Sequence, residues 1–364
     1  MDTFYTFDIH EAFMSRALEL ARQGQGKVSP NPMVGCVLVK EGEIIGEGYH
    51  EAYGGPHAEV MAYKNAIKEP VDTTVYVTME PCSIFSKTPP CTKFLIENSA
   101  SEVYVAMLDP NPEVNGNGVA ELIHAGIPVK TGILKKEAEF LNRGFTKIMR
   151  YGRPWVIAKA AQSANGFLGM DSDSQTWITG EASKEHSHNL RAHVDAIMVG
   201  RQTALIDNPK LTVREVAGYN PQRIVVDTNR KLPLTLNIFR DHQADTKVLC
   251  SDARFERSRT SFCDFIPIKE GDNGQLEPGA ILDTLAKEGI TSVILEGGAE
   301  LLQSFNEAGL VDEIYLYTAS HDLEDATLEN PLKISEDWDV KETRRLGDDT
   351  LIIAERKIEC LQES

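Results

Sequence analysis

Three residues in the first half of the chain are of the types that bind zinc: His57, Cys82 and Cys91. Imidazole nitrogen and thiolate sulfur are ligands that suit this metal. Glu59 follows the histidine by two residues, so its carboxylate can lie near a metal without binding it. Three protein ligands leave one coordination position open for water, as in catalytic zinc sites. The pattern therefore predicts a site in which the metal makes hydroxide and Glu59 moves protons.

This arrangement is typical of zinc deaminases. The spacing is unusual for that class, because eight residues separate Cys82 from Cys91 where two are common. Taken singly, each cysteine could be a small core residue and His57 a packed histidine. A structural zinc site would need a fourth protein ligand, which the sequence does not offer. The complete set, with a proline before each cysteine, favours the catalytic site.

The other histidine and cysteine residues have plainer interpretations. His50 ends a predicted strand near the loop that leads to His57, and it could contact substrate or hold that loop. Cys36 lies in an apolar run and is expected in the core. Three more cysteines lack partners at ligand spacing and are expected to be structural: Cys250, Cys263 and Cys360. Six scattered cysteines form no disulfide framework, which indicates a reducing, cytoplasmic compartment.

Composition limits the possible partners. The chain has 364 residues, a length that suits two domains. Its net charge of −18 argues against a nucleic-acid partner. The first residues lack the basic start and apolar core of a signal peptide, and no run approaches the roughly 18 apolar residues of a membrane span. We therefore expect a cytoplasmic protein with neither nucleic acid nor membrane as a partner.

The elements that position the zinc ligands alternate between strands and helices. The predicted strands are 34–39, 44–49, 73–79, 103–107 and 127–130, and the predicted helices are 9–21, 57–67, 118–124 and 134–150. Proline at a helix entry places His57 in the first turn of its helix. Cys82 follows a strand at a loop or helix start, where partial positive charge favours thiolate. The alternation indicates a mixed α/β layer fold that ends near Gly152 and Pro154.

The second half repeats this alternation and forms a second predicted domain, 151–364 after 1–150. Its predicted strands are 155–161, 196–200, 223–227, 247–250, 292–295, 313–317 and 350–355, and its predicted helices are 181–193, 279–287 and 300–308. Gly297 and Gly298 lie between a strand and a helix, where backbone N–H groups can approach a phosphate. An ordinary tight turn is an equal alternative, because the dinucleotide fingerprint with three glycines is absent.

Several runs in the first half resemble one family of zinc deaminases. NPMVGCVLVKEGEIIGEGYH, GGPHAEV, EPCS, TPPC and DPNPEVNGNG resemble the deaminase half of the bifunctional deaminase/reductase family of riboflavin biosynthesis, of the bacterial RibD type. Among zinc deaminases, the long spacing with Thr-Pro-Pro before the second cysteine is specific to that family. The resemblance implies a cytidine-deaminase-like three-layer α/β/α fold, zinc on His57, Cys82 and Cys91, and Glu59 as proton shuttle. It also implies a diaminopyrimidinone substrate with a ribosylamine 5-phosphate, which loses its 2-amino group as ammonia.

The runs QTWIT, DNPKLTVR and EGGA, with Arg191, resemble the reductase half of the same family, a dihydrofolate-reductase-like α/β fold that binds NADPH. The resemblance implies cofactor contacts at Ala161, Trp177, Thr203, Asp207, Thr228 and Gly298. It implies substrate contacts at Gln175, Arg191, Leu211, Arg214 and Glu296. Arg191 and Arg214 are natural partners of the substrate phosphate, since guanidinium pairs bidentately with phosphate. Hydride would reach the ribose C1 and open the sugar to ribityl, with Lys159 as a catalytic polar partner near that carbon.

The chain departs from the family pattern at three positions, although the resemblance extends over 7–355. Ile84 stands where the family has histidine after Cys-Ser, and isoleucine cannot donate a hydrogen bond. Asn165 stands where the family has Asp before Gly, and Gln162 replaces a small residue. The zinc set is untouched by these departures.

The leading hypothesis is therefore an enzyme that performs two consecutive steps toward riboflavin. It would use zinc and NADPH, act on a small phosphorylated pyrimidine and form a homo-oligomer. One alternative is a zinc deaminase of another nucleobase, in a polynucleotide or free, with a degenerate or unrelated C-terminal domain. Another is a metal-stabilised binding protein. The net charge argues against a polynucleotide substrate. The missing fourth ligand argues against a metal-stabilised binding protein. The intact DNPKLTVR and EGGA runs argue against a degenerate C-terminal domain.

Overall fold

The computed structural model describes residues 9–85, 89–169, 178–256 and 262–357. The chain divides into two compact units, Met1–Gly152 and Arg153–Ser364. Among the described helices, none combines the length and the apolar character needed to cross a membrane.

A five-stranded sheet forms the middle layer of the first unit. Its strands are β1 Gly35–Lys40, β2 Glu43–Tyr49, β3 Thr74–Met79, β4 Glu102–Met107 and β5 Val129–Thr131. They lie in the order β2-β1-β3-β4-β5. β1 is antiparallel to β2 and β3, whereas β3, β4 and β5 are parallel. The carboxyl ends of the parallel strands therefore meet at one edge, where α/β proteins commonly bind ligands.

Helices cover both faces of this sheet. They are α1 Ile9–Arg22, α2 Ala58–Lys64, α3 Cys91–Glu97, α4 Asn117–His124, α5 Lys135–Leu141 and α6 Arg143–Tyr151. Apolar residues of α1 and α5 pack with Tyr76 and Tyr104 on one face. Those of α2, α3 and α4 pack with Val75 and Val103 on the other. The first unit thus has the three α/β/α layers predicted for the N-terminal domain.

The prediction of one helix over 134–150 is wrong. α5 ends at Leu141 and α6 begins at Arg143, with Asn142 between them at φ −105° and ψ 23°. The buried Asn142 side chain accepts a hydrogen bond from the Met33 N–H at 2.8 Å and donates one to the Met33 carbonyl at 3.0 Å. These long-range bonds, which local periodicity cannot reveal, hold the break against the loop before β1.

A nine-stranded sheet forms the centre of the second unit. Its strands are β6 Trp155–Gln162, β8 Ala196–Gly200, β9 Gln222–Val226, β10 Thr246–Ser251, β11 Asp264–Ile268, β12 Ser292–Glu296, β13 Glu313–Thr318, β15 Trp338–Leu346 and β16 Asp349–Arg356. The order is β11-β10-β9-β8-β12-β6-β13-β16-β15. β16 is antiparallel to β13 and β15, and the other neighbours are parallel. A separate antiparallel pair joins β7 Phe167–Gly169 to β14 Leu328–Glu329.

Helices also cover both faces of the larger sheet. They are α7 Glu181–Arg191, α8 Arg201–Asp207, α9 Asn237–Arg240, α10 Pro278–Lys287 and α11 Ala299–Glu307, with a short 3-10 helix at Asp252–Arg254. α10 and α11 pack on the face that carries Val156 and Val293. Leu190 of α7, Ala204 of α8 and Phe239 of α9 pack on the opposite face.

The sequence pattern does not predict every element of this unit. The short α8, α9, β7 and β14 are missing from the prediction, as are β11 and the edge strand β15. β15 has the sequence WDVKETRRL and is exposed along most of its length. No apolar alternation marks such a strand, and its pairing with β16 identifies it only in the structure.

Candidate active sites

Each predicted zinc ligand lies at the end of a regular element of the first unit. His57 is the N-cap of α2, one residue before the helix rather than in its first turn as predicted. Cys91 is the first residue of α3. Cys82 follows the carboxyl end of β3, which ends at Met79. Helix starts and a strand end therefore converge on the α2–α3–α4 face of the sheet.

The three ligand atoms lie at distances that fit zinc. Nδ1 of His57 is 3.2 Å from Sγ of Cys91 and 3.5 Å from Sγ of Cys82. All three atoms lie within 4.8 Å of one another, and within the described residues this cluster has three members. Tetrahedral zinc, with Zn–S of about 2.3 Å and Zn–N of about 2.0 Å, would set nitrogen and sulfur about 3.5 Å apart. The donor types and their spacing therefore suit zinc with one position left for water.

The two thiols differ in acidity. A hydrogen bond with the Cys91 thiol, followed by one with His57, lowers the pKa of Cys82 to about 4. The same bond with Cys82, together with burial, raises the pKa of Cys91. The pair therefore carries one negative charge and keeps one proton, and a bound dication would displace that proton.

Glu59 lies beside this cluster, in the first turn of α2, with 3% of its surface exposed. Burial raises the pKa of its carboxyl, on which the charges of His57 and Cys82 also act. A carboxyl with a raised pKa can accept and return a proton near neutral pH. The structure thus places the buried Glu59 near the ligand cluster, of which it is not a member.

His50 holds the loop that precedes His57. Its Nδ1 lies 3.0 Å from the Pro56 carbonyl, which can only accept, so Nδ1 carries the hydrogen. Its Nε2 then accepts from the Asn31 side-chain amide, also at 3.0 Å. The ring is 3% exposed and lies edge-on to the His57 ring. Of the two roles considered for His50, this geometry favours holding the loop.

The loop after Cys82 presents apolar side chains. Ile84 is 36% exposed and Phe85 is 76% exposed. Burial raises the pKa of Asp109 to about 6, and the charges of Glu80 and Cys82 add to this shift. The surroundings of the zinc cluster therefore combine an apolar loop with a carboxyl that titrates close to neutrality.

The second unit has a cavity of about 710 Å³ at the carboxyl ends of β6, β8 and β12. Its lining includes nine of the residues predicted for the reductase site, which are Lys159, Ala161, Arg191, Thr203, Asp207, Leu211, Arg214, Glu296 and Gly298. Thr228 lies outside the lining, just after β9, where its carbonyl accepts the Ser251 N–H. Gln175 and Trp177 lie outside the described residues.

An ion pair crosses this cavity. Arg191 donates from Nε and Nη2 to the two carboxylate oxygens of Glu296 at 2.6 and 2.7 Å, and from Nη1 to the Thr212 carbonyl at 3.2 Å. Burial alone would raise the pKa of Glu296, but the charge and hydrogen bonds of Arg191 lower it to about 2. Glu296 therefore stays ionised, and Arg191 keeps only part of its hydrogen-bonding capacity for a ligand.

Lys159 lies next to this pair in the sheet. Its backbone position on β6 is directly opposite Glu296 on the parallel strand β12. Its ammonium lies 5.4 Å from the centre of the Tyr317 ring. Burial lowers the pKa of Lys159, and Glu296 partly offsets this effect. Lys159 is thus a partly exposed residue that lines the cavity beside the ion pair.

The cavity lining also includes residues that sequence reasoning missed. Lys184 and His188 lie on α7 with Arg191, at intervals of four and three residues that place all three on one helix face. That spacing was available in the sequence. Burial lowers the pKa of His188 to about 4, and its Nδ1 accepts the Arg214 N–H at 3.2 Å. Tyr317 comes from β13, and only the strand register brings it here.

The two glycines after β12 form a cradle against Thr203. Gly297 and Gly298 have φ angles of 78° and 76°, a region that L side chains rarely adopt. A Cβ on Gly297 would lie 3.0 Å from the Thr203 side chain. Gly298 is also the N-cap of α11, and the backbone N–H groups at a helix start can bind a phosphate.

Known families match both units. Residues 8–107 match the cytidine and deoxycytidylate deaminase zinc-binding region, and residues 154–352 match the RibD C-terminal domain. The riboflavin biosynthesis protein RibD of Bacillus amyloliquefaciens is 40% identical over 315 residues, which cover 85% of this chain and 84% of that protein. The protein of the same name from Escherichia coli K12 is 39% identical over 323 residues, which cover 85% and 87%.

A solved structure also matches both units. The diaminohydroxyphosphoribosylaminopyrimidine deaminase/5-amino-6-(5-phosphoribosylamino)uracil reductase of Thermotoga maritima is 32% identical, with a TM-score of 0.84. The match covers 96% of this chain and 99% of that one.

Proposed function

The chain belongs to the RibD family of riboflavin biosynthesis proteins, and from that premise we propose which residues carry each of its two reactions. The fold class predicted from the sequence, the bifunctional activity and the two cofactors, zinc and NADPH, are confirmed. The protein deaminates 2,5-diamino-6-(5-phosphoribosylamino)pyrimidin-4(3H)-one and reduces the ribosyl group of the product to ribityl. The observation that carries the residue assignment is the convergence of His57, Cys82 and Cys91 beside the buried Glu59.

In the deaminase, His57, Cys82 and Cys91 hold zinc. When bound, the metal lowers the pKa of a water molecule so that hydroxide is available near neutral pH. Glu59 would take one proton from the attacking water and deliver it to a ring nitrogen as oxygen adds to the carbon that bears the 2-amino group. It would then take the remaining hydroxyl proton of the adduct and give it to the amine, so that the C–N bond breaks, ammonia leaves and a carbonyl is left on the ring.

In the reductase, the cavity of the second unit holds substrate and cofactor together. NADPH supplies the hydride when it is bound. Ala161, Thr203, Asp207 and Gly298 contact the cofactor, and their shared place in the lining of the cavity supports this. Trp177 and Thr228 are proposed for the same role from the family resemblance.

The substrate occupies the remaining part of the cavity. Arg214 binds its phosphate, since its side chain is 41% exposed and is less engaged than that of Arg191. Arg191 adds the donors that Glu296 leaves unused, and Leu211 contacts the pyrimidine. Gln175 is proposed from the resemblance. Lys159 lies near the ribose C1 that accepts the hydride. Its place in the lining of the cavity supports this assignment.

The alternative of a nucleobase deaminase with a degenerate C-terminal domain is not favoured. The second unit keeps a cavity lined by Lys159, the Arg191–Glu296 pair and the two-glycine cradle. A degenerate domain would not be expected to keep an ion pair whose side chains are only 13% and 9% exposed, because such a pair is costly without a function.

The division of labour is proposed to follow the two units, with deamination in 1–150 and reduction in 151–364. The compact units support this proposal, with their division after Gly152.

A homo-oligomer and a cytoplasmic location are further proposals. The exposed edge strand β15 supports the first, since unpaired strand edges favour association. The free thiols of the described cysteines support the second. Light scattering that gives the mass of one chain would contradict the oligomer.

The function is tested by supplying the diaminopyrimidine substrate to the full chain and following ammonia and NADPH. We expect ammonia release without NADPH, and NADPH oxidation only after deamination has begun. A zinc chelator should stop ammonia release but leave the reduction of substrate that is already deaminated. NADPH oxidation that needs no deamination, or ammonia release that survives complete zinc removal, would contradict the assignment.

A further inference from the structure

A buried carboxylate next to the zinc cluster binds three backbone amides of one segment. Glu80 follows β3 by one residue and is 4% exposed. Its Oε2 accepts the N–H groups of Asp109 at 3.1 Å and Gly116 at 2.9 Å, and its Oε1 accepts that of Val119 at 3.0 Å. One side chain therefore fixes the loop after β4 and the first turn of α4. We call residues 109–121 the clamp segment.

The clamp segment also contacts the residues that flank both zinc cysteines. A Cβ on Gly118 would lie 2.1 Å from the Pro81 carbonyl oxygen, so the two backbones touch one residue before Cys82. Glu121 accepts a hydrogen bond from Thr92 Oγ1 at 2.8 Å, one residue after the second cysteine. Thr92 in turn donates its N–H to the Cys82 carbonyl at 3.2 Å. The segment thus joins the backbone stretches that carry the two sulfur atoms.

We infer that Glu80 is a positioning residue that holds the clamp segment in place and thereby fixes Cys82 and Cys91 at the spacing that zinc needs. Charge-assisted hydrogen bonds to three amides make this contact stronger than ordinary turn contacts. Outer contacts of this kind orient the ligands, and their loss commonly weakens metal binding by a factor of about 10 to 100. The inference rests on the proposed zinc site. It adds a residue that touches neither metal nor substrate.

Two variants of the full chain test the inference. Glu80→Ala removes all three acceptor contacts. Glu80→Gln keeps one acceptor oxygen. Its NH₂ group takes the place of the other oxygen and cannot accept a hydrogen bond from the backbone N–H there. Glu113→Gln is the matched control, because it removes the same charge from an exposed side chain of the same segment. Zinc affinity is measured by competition with a chromogenic chelator, and amide hydrogen exchange is measured across the first unit.

We expect zinc binding to weaken about 10- to 100-fold in Glu80→Ala and by a smaller factor in Glu80→Gln, with the control equal to the parent. Exchange should accelerate in the clamp segment and stay at the parent rate in β1 and β3. Parent-like zinc affinity in Glu80→Ala would overturn the inference. Faster exchange over the whole first unit would also overturn it, because Glu80 would then support the fold in general. A parent chain that binds no zinc would overturn the zinc site itself, which separates the two failures.

Discussion

At the scale of single residues, each of the two proposed sites contains a titratable group whose pKa is shifted by burial. Glu59 is a buried carboxyl with a raised pKa beside a set of metal ligands. Lys159 is a partly exposed amine with a lowered pKa beside the Arg191–Glu296 pair. In both cases burial disfavours the charged form, so the pKa of the group moves closer to neutral pH. A pKa near the working pH suits a group to proton transfer.

The pH dependence of reduction is a first test at this scale. Burial lowers the folded-state pKa of Lys159, so its protonated form is lost at a lower pH than for a free lysine. If the reaction needs this cation, the rate of reduction should fall on the alkaline side, at a pH below about 10.4. Lys159→Met should remove that limb as well as most of the rate. If the rate of reduction by the variant still falls at the same alkaline pH, a group other than Lys159 causes that fall.

The ion pair in the cavity leads to a second test. Arg191→Ala is expected to weaken substrate binding by about 1.5–3 kcal/mol, because it removes charged hydrogen bonds and leaves Glu296 unpaired. Cofactor binding should change less, since the two-glycine cradle does not involve Arg191. Substrate and cofactor constants are measured on deaminated substrate, with Arg240→Ala, an exposed arginine of α9, as control. A weakened cofactor constant with an unchanged substrate constant would contradict the assignment.

At the scale of elements, apolar periodicity predicts most of the strands and helices that surround the sites. It fails where long-range contacts decide the structure. The break between α5 and α6 depends on Asn142 reaching Met33, 109 residues away in sequence. Likewise, Tyr317 reaches the cavity through the register of β13 with β6. The cluster of His57, Cys82 and Cys91 could be predicted because three residues of metal-binding type, with Glu59 two positions after the histidine, have the spacing of a zinc deaminase. The roles of Glu80 and Tyr317 depend on contacts between distant parts of the chain, which the spacing of residues in the sequence does not reveal.

The break between α5 and α6 provides a test at this scale. Asn142→Ala leaves the partly buried N–H and carbonyl of Met33 without their partner, which should cost about 1–3 kcal/mol in the free energy of unfolding of the first unit. Asn115→Ala, at an exposed position, is the control. Hydrogen exchange of β1–β5 peptides in urea measures the change. Because all three tryptophans lie beyond residue 152, their fluorescence should stay unchanged. Equal stability of the two variants would refute the role given to Asn142.

At the scale of the whole molecule, the chain combines two α/β units with their own sheets and cores. The two reactions are consecutive, and the product of the first site is the substrate of the second. The net charge of −18 does not prevent binding of a phosphorylated substrate, because arginine and lysine side chains line the reductase cavity locally.

Separate expression of 1–152 and 153–364 tests the independence of the units. Each fragment should fold, since each has its own buried core. The first should release ammonia with zinc bound, and the second should oxidise NADPH with deaminated substrate. Two folded fragments that each fail in their half-reaction would show that the proposed division of labour is wrong.

The most direct test of the account is the rate of ammonia release by Glu59→Gln in the full chain. Glutamine keeps the size of the side chain but cannot act as the base, so deamination should fall by a factor of at least about 100. Zinc content should stay near one per chain, because Glu59 is not a member of the ligand set. Reduction of deaminated substrate should proceed at a near-normal rate. Ammonia release at the parent rate, in a variant that is folded and loaded with zinc, would contradict the account.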